Sequence, residues 1–269
     1  MTALVDTHVH VVAPDEERYP LQPSGVTGPW YRTDPCSLPR LLTLLDEADV
    51  AQAVLVQAIS AYGDDNRYVL DAAAEARGRC PAVICVDLEG PDPAGAADRL
   101  LRAGARGLRW VAIHGGGLAE PRAVWEVARH RAVPVVVTIL AAQLPALAEV
   151  APALRPIPLA LDHCGFADFR DGVPDALAAL AEHPNVTLKV STIAFDDAAA
   201  HGDVRELLGD LVARFGSRRL MWGSDYSQTH DRPYVELAGY ARHAASKLGD
   251  EDRNWFLAGT ARSLWPELA

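Results

Sequence analysis

Leu4-Val5-Asp6-Thr7-His8-Val9 is a short apolar, β-branched run that ends among polar side chains, and the same kind of run recurs along the whole chain. The later ones are Ala53–Gln57, Ala82–Asp87, Gly107–Ala112, Pro134–Ile139, Leu159–His163, Thr187–Ser191 and Leu220–Asp225. Several are nearly continuous in apolar residues, as strands buried on both faces of a parallel sheet are. Longer stretches with helix signals separate them. Ser37 before Leu38-Pro39-Arg40, Asp92 before Pro93 and Asp231-Arg232 before Pro233 read as helix starts. Gly104 and Gly249 read as stops. From about His201 to Phe215, Val204, Leu207, Leu208, Leu211, Val212 and Phe215 share one helical face, with Arg205, Glu206 and Asp210 opposite. This alternation predicts an α/β protein, a closed (β/α)8 TIM barrel rather than an open doubly wound sheet.

A chain of 269 residues, 49% of them hydrophobic, can bury the core of one such barrel. Two ordinary domains would also fit the length, but no composition shift marks a linker, so residues 1–269 read as a single barrel domain. The net charge of −11 argues against nucleic acid and anionic membrane as partners and says little about a small-molecule substrate, the partner expected of such a barrel. No window approaches about 18 consecutive apolar residues, so no membrane span is expected. The start of the chain lacks a basic segment followed by an apolar one. Cys36, Cys80, Cys85 and Cys164 show no C-x-x-C spacing. Reduced thiols in a cytoplasmic protein are the expectation.

The chemistry is expected at the C-terminal ends of the strands. In Asp6-Thr7-His8-Val9-His10, strand alternation would put Asp6, His8 and His10 on one face, with two imidazoles at the mouth. Two adjacent nitrogen donors can hold a divalent ion or polarise an oxyanion. His163, ending the sixth run, would point into the same mouth, whereas Cys164 reads as a buried thiol. Asp225, ending the eighth, would face the histidines, where a carboxylate can hold a metal and take a proton from water. Arg109 at the end of the fourth run could clamp a substrate carboxylate or stabilise an oxyanion, and Arg170 is a second candidate for an anionic substrate. Lys189 lies inside a buried strand, so it either pairs with an acid or reaches the mouth. Gly115-Gly116-Gly117 reads as a flexible loop or an anion nest. The proline- and glycine-rich connection from Val11 to Ser37 is too long for an ordinary loop, and reads as a lid over the mouth or as a peripheral excursion.

These motifs resemble the amidohydrolase-2 branch of the amidohydrolase superfamily, and within it the lactonase-like group of 2-pyrone-4,6-dicarboxylate lactonases and sugar-lactone hydrolases. The resemblance spans the chain. It rests on Asp6–His10, Val54–Gln57 with Asp65-Asn66, Gly107-Leu108-Arg109, Asp162–Gly165 and Trp222–Asp225. A weaker match is Gly259–Trp265, where Thr260 stands in place of the family's usual Asn. The resemblance implies a barrel that hydrolyses a cyclic ester of a small acidic or polyhydroxylated substrate. Asp225 would activate the water, with His8, His10 and His163 around the carbonyl. Metal-dependent members carry a histidine at the end of the fifth strand, where this chain reads Val137-Thr138-Ile139, and no lysine is placed to form a bridging carbamate. The expectation is therefore either one divalent ion, zinc first, on His8, His10 and Asp225 with His163 as a further ligand, or metal-independent hydrolysis. Two other readings compete: a metal-dependent non-oxidative decarboxylase of the same branch, and a barrel that binds a small molecule without turnover.

Overall fold

The computed structural model describes residues 3–25, 27–113 and 122–269. Eight parallel strands lie in the sheet order β1 to β8: β1 Leu4–Val9, β2 Val50–Val56, β3 Ala82–Cys85, β4 Gly107–Val111, β5 Val135–Thr138, β6 Leu159–Leu161, β7 Val186–Ser191 and β8 Leu220–Gly223. Helices follow the strands on the outside, giving the expected (β/α)8 barrel. The helix expected from about His201 begins instead at Val204, where the Asp203 carboxylate accepts from Arg205 N as an N-cap. Asp92 caps its helix as read, accepting from Gly95 N. Gly249 departs from expectation, preceding the helix Asp250–Asn254 rather than ending one. Among the described residues no helix is long and apolar enough to cross a membrane.

Strand parity sorts the side chains into two cores. Val5, Val54, Val56, Val83, Val136, Ala160 and Met221 fill the barrel, and Ala258, Ala261, Trp265 and Leu268 of the C-terminal segment plug it from below. Leu4, Val9, Leu55, Leu108, Val137, Leu161, Leu188 and Trp222 face outward into the core shared with the helices.

The first strand breaks that parity. Asp6 pairs with Ala53 and Val9 with Leu55, so Thr7 and His8 together oppose Val54 alone. This β-bulge reverses the phase of the strand. Val5 and His8 both point inward, three residues apart. Asp6 turns outward and accepts from the hydroxyl of Tyr234. The expectation that Asp6 shares a face with His8 and His10 is thus corrected: the bulge supplies the extra residue that separates them.

The barrel closes between β1 and β8 through that bulge. Thr7 donates to the Trp222 carbonyl at 2.6 Å, Ser224 N to the Asp6 carboxylate at 2.8 Å, and Asp225 N to the His8 carbonyl at 2.9 Å. Gly223 permits the approach: a Cβ there would stand 2.8 Å from the His8 Cβ.

Candidate active site

The closing seam brings three donor atoms together. His8 Nε2 lies 3.2 Å from His10 Nε2, and Asp225 Oδ1 lies 3.5 Å and 3.4 Å from them. The other ring nitrogens decide the protonation. His10 Nδ1 is 2.8 Å from the Val56 carbonyl, which can only accept, so this nitrogen carries the proton. His8 Nδ1 donates to Asp162 Oδ1 at 3.0 Å. With each Nδ1 engaged, the Nε2 of each ring is left facing Asp225 Oδ1, which is buried and has no hydrogen-bond partner. Two ring nitrogens and a carboxylate oxygen so close together form a set that a shared cation or proton would stabilise. Their mutual spacing is close to the edge of a tetrahedral zinc site, about 3.3 Å for bonds of about 2.0 Å. The donors fit a small divalent ion. His8, His163 and Asp225 also form a group with ligand atoms within 4.8 Å of one another.

Burial pushes the carboxyl of Asp225 up, but the facing His163, His10 and His8 outweigh it and hold it well below the usual carboxylate range. Its second oxygen accepts from Gln228 Nε2 and Thr229 Oγ1, each at 3.2 Å. Burial lowers His8 and His163 from the ordinary imidazole value.

His163 reaches the mouth against the strand's parity. Ala160 on β6 points inward, so Asp162 follows it inward by alternation and His163 should face out. Instead His163, Cys164, Gly165 and Phe166 all take positive φ (53°, 52°, 66° and 51°). This left-handed turn costs roughly 1–2 kcal/mol per non-glycine residue, and it swings His163 inward to meet Ser191 Oγ at 2.9 Å. At Gly165 a Cβ would meet Leu144 at 2.6 Å. Cys164 is buried as expected, its thiol pushed up by burial.

Asp162, which the motif reading passed over, is the hub beneath the site. Its Oδ1 receives His8 Nδ1 and, at 3.1 Å, the ammonium of Lys189. Its Oδ2 receives Thr138 Oγ1 at 2.7 Å and Arg109 at 3.4 Å. Burial raises this carboxyl, but His8, Lys189 and Arg109 overcome that and hold it well below the usual range. Lys189 resolves its two readings in favour of an acid partner: it is fully buried, with burial lowering it from the ordinary lysine value. Parity with Ala160 was the signal that could have found Asp162.

The mouth is a cleft of about 400 Å³, including its open end. Part of the Val11–Ser37 connection borders it. Thr27 and Trp30 line it, and the Trp30 ring lies 5.5 Å from that of His10. Arg109 lines it as well, with a side chain only 6% exposed. Arg170 is not brought to the site: it is exposed and lies 3.7 Å from Asp168. Gly115–Gly117 fall outside the described residues. Gln57 and Asn66, both in the motifs, tie loops to the barrel by donating to the carbonyls of Gly63, Asp65, Asp64 and Cys85.

The amidohydrolase family profile matches residues 5–266, nearly the whole chain, and covers every strand that carries the site. The chain belongs to the amidohydrolase family. This amidohydrolase is 29% identical to the L-fucono-1,5-lactonase of Burkholderia ambifaria over 215 residues, 73% of this chain and 70% of that protein. In fold it is similar to a candidate 2-pyrone-4,6-dicarboxylic acid hydrolase from Pseudomonas putida, with a TM-score of 0.80, 22% identity and coverage of 100% and 99% of the two chains. It is also similar to an amidohydrolase from Burkholderia multivorans with bound zinc, with a TM-score of 0.74, 22% identity and coverage of 98% and 99%. A 2,6-dihydroxybenzoate decarboxylase from Rhizobium shares the fold too, with a TM-score of 0.71, 15% identity and 99% coverage of each chain. The amidohydrolase is a hydrolytic enzyme with a histidine–aspartate site capable of holding a metal.

Proposed function

We propose that this amidohydrolase opens the ring ester of a small lactone by water attack at the mouth of the barrel. The observation that carries the reading is the convergence of His8 Nε2, His10 Nε2 and the unpaired Asp225 Oδ1. The lactonase from Burkholderia ambifaria supports the ester as the bond attacked.

His8, His10 and Asp225 would hold one divalent cation, zinc by the character of the donors, with His163 as a further ligand. A cation there would bring the pKa of a bound water toward about 7. Asp225 would receive the proton of the attacking water, with Gln228 and Thr229 holding the carboxylate in line. Asp162 fixes the His8 tautomer through Nδ1, as carboxylates behind metal-ligating histidines do. Where His163 does not serve as that further ligand, its ring would instead hydrogen-bond the carbonyl oxygen as it gains charge, or the ring oxygen as it leaves.

Metal analysis of the purified protein, run beside a lactone panel, tests the reading. The expected result is one tightly held divalent ion per chain, with lactone hydrolysis lost on chelation and restored by zinc. Two ions per chain would overturn the mononuclear site, and full activity after thorough chelation would overturn the role of the cation. Decarboxylation of a hydroxybenzoate with no lactone hydrolysed would replace the hydrolase reading with the lyase one.

A further inference from the structure

We propose that Gln228 is a positioning residue that ties the Val11–Ser37 connection to Asp225, so that the carboxylate is held in line only while that connection is seated against His10. The inference rests on Asp225 as the base of the lactonase reading. Four side chains of the cleft lining carry it: Thr27 and Trp30 of the connection, Ser60, and Gln228. Gln228 Nε2 donates to Asp225 Oδ2 at 3.2 Å, and Thr27 Oγ1 donates to Gln228 Oε1 at 3.3 Å. Trp30 Nε1 donates to Thr27 Oγ1 at 3.0 Å, and Ser60 Oγ lies 2.6 Å from the same oxygen.

The two ends of this chain of bonds fix the sense of every bond in it. An ionised carboxylate only accepts, so the Gln228 amide must turn its nitrogen to Asp225 and its oxygen to Thr27. The amide oxygen also only accepts, so the single hydroxyl proton of Thr27 goes to it. An indole N–H only donates, so Trp30 takes one lone pair of Thr27, and Ser60 must donate to the other. Thr27 is thereby saturated, and every bond points toward the carboxylate, an alignment in which each polarises the next. Trp30, which opens the chain, is also the residue whose ring lies 5.5 Å from that of His10. One end is thus set by the seating of the connection and the other by the base. Of the two donors to Asp225 Oδ2, Gln228 and Thr229, only Gln228 also bonds the connection among the described residues. The connection meets the loop after β8 again where Tyr226 donates to Asp34 and where Thr33 lies 3.5 Å from His230, and neither contact includes Asp225.

The test is a double-mutant cycle on Gln228→Ala and Thr27→Val, the second of which keeps the shape of the side chain and removes its hydroxyl. Each single change is expected to lower kcat on a hydrolysed lactone by about tenfold, with KM within about twofold of wild type, and Thr27→Ser should restore kcat. In the Gln228→Ala background, Thr27→Val should change kcat by less than about twofold. Single effects that multiply in the double variant overturn the proposal. So does a Thr27→Val enzyme with wild-type kcat, or one whose loss is confined to KM, as a loop that merely shapes the mouth would give. Hydrogen exchange of the Trp30–Thr33 amides reads the tie without turnover. Gln228→Ala should speed that exchange by at least about threefold, and exchange as slow as in the native protein overturns the tie. If no lactone is hydrolysed, the lactonase reading fails, and the exchange measurement decides the tie by itself.

Discussion

His8 Nδ1 and Asp162 Oδ1 stand 3.0 Å apart, and that contact joins the site at the mouth to the charges buried beneath it. Asp162 answers Lys189 and Arg109 at the same time as it orients the imidazole. One carboxylate therefore sets the electrostatic balance of the barrel interior and the direction of a ligand lone pair.

Asp162→Asn should separate these duties from simple packing, because the side chain keeps its size and loses its charge. Removing a carboxylate behind a ligating histidine typically costs about 10–100-fold in metal affinity. It also strands Lys189 beside Arg109, and breaking a buried ion pair costs roughly 3–5 kcal/mol. Zinc affinity from competition with a chelator should fall within that range, and the thermal midpoint should drop. Unchanged affinity would show that His8 is oriented by other contacts.

Asp225→Asn addresses the base. General-base action contributes about 10²–10⁴-fold to rate, so kcat on the true substrate should fall by at least about 10²-fold while the protein stays folded. Steady-state kinetics with a parallel circular-dichroism melt would measure both. Near wild-type kcat in a well-folded variant would pass the role of base to His163.

Gly223→Ala probes the seam. The added methyl would meet the His8 Cβ at 2.8 Å, the His8 backbone N at 3.2 Å and Thr7 Oγ1 at 3.3 Å. None of these atoms is the free end of a flexible chain. Overpacking of this kind costs roughly 1–3 kcal/mol. A lowered thermal midpoint together with a loss of bound zinc is expected. A variant as stable as wild type that still holds its ion would mean the bulge yields more easily than its hydrogen bonds imply.

Arg170→Ala should do almost nothing. The side chain is about two-thirds exposed, and its only ion pair among the described residues, with Asp168, spans 3.7 Å. Pairs of that kind contribute at most about 1 kcal/mol. KM should stay within about twofold of wild type, and a tenfold rise would bring Arg170 back to the mouth.

The barrel was legible because its strands are short apolar runs of regular spacing, and all eight appear where those runs do. His8, His10, His163 and Asp225 were legible as polar residues at strand ends. The details that evaded reading are departures from strand periodicity. The Thr7–His8 bulge sends Asp6 outward, and a left-handed turn after Asp162 admits two consecutive side chains to one site. Neither leaves a mark in hydrophobic patterning, which records burial but not direction. Arg170 was misjudged for a related reason, since it follows β6 in a segment that no longer obeys the strand's phase. Lys189 stayed open between two readings because its partner belongs to another strand.

The seam between β1 and β8 joins the earliest and latest strands of the barrel to be translated. During synthesis His8 and His10 emerge long before Asp225 exists. A nascent chain can carry both imidazoles and six or seven strands and still lack the carboxylate of the proposed site. That site is complete only once Asp225 has been made, so a ribosome-stalled fragment ending before β8 should hold zinc more weakly than the whole chain.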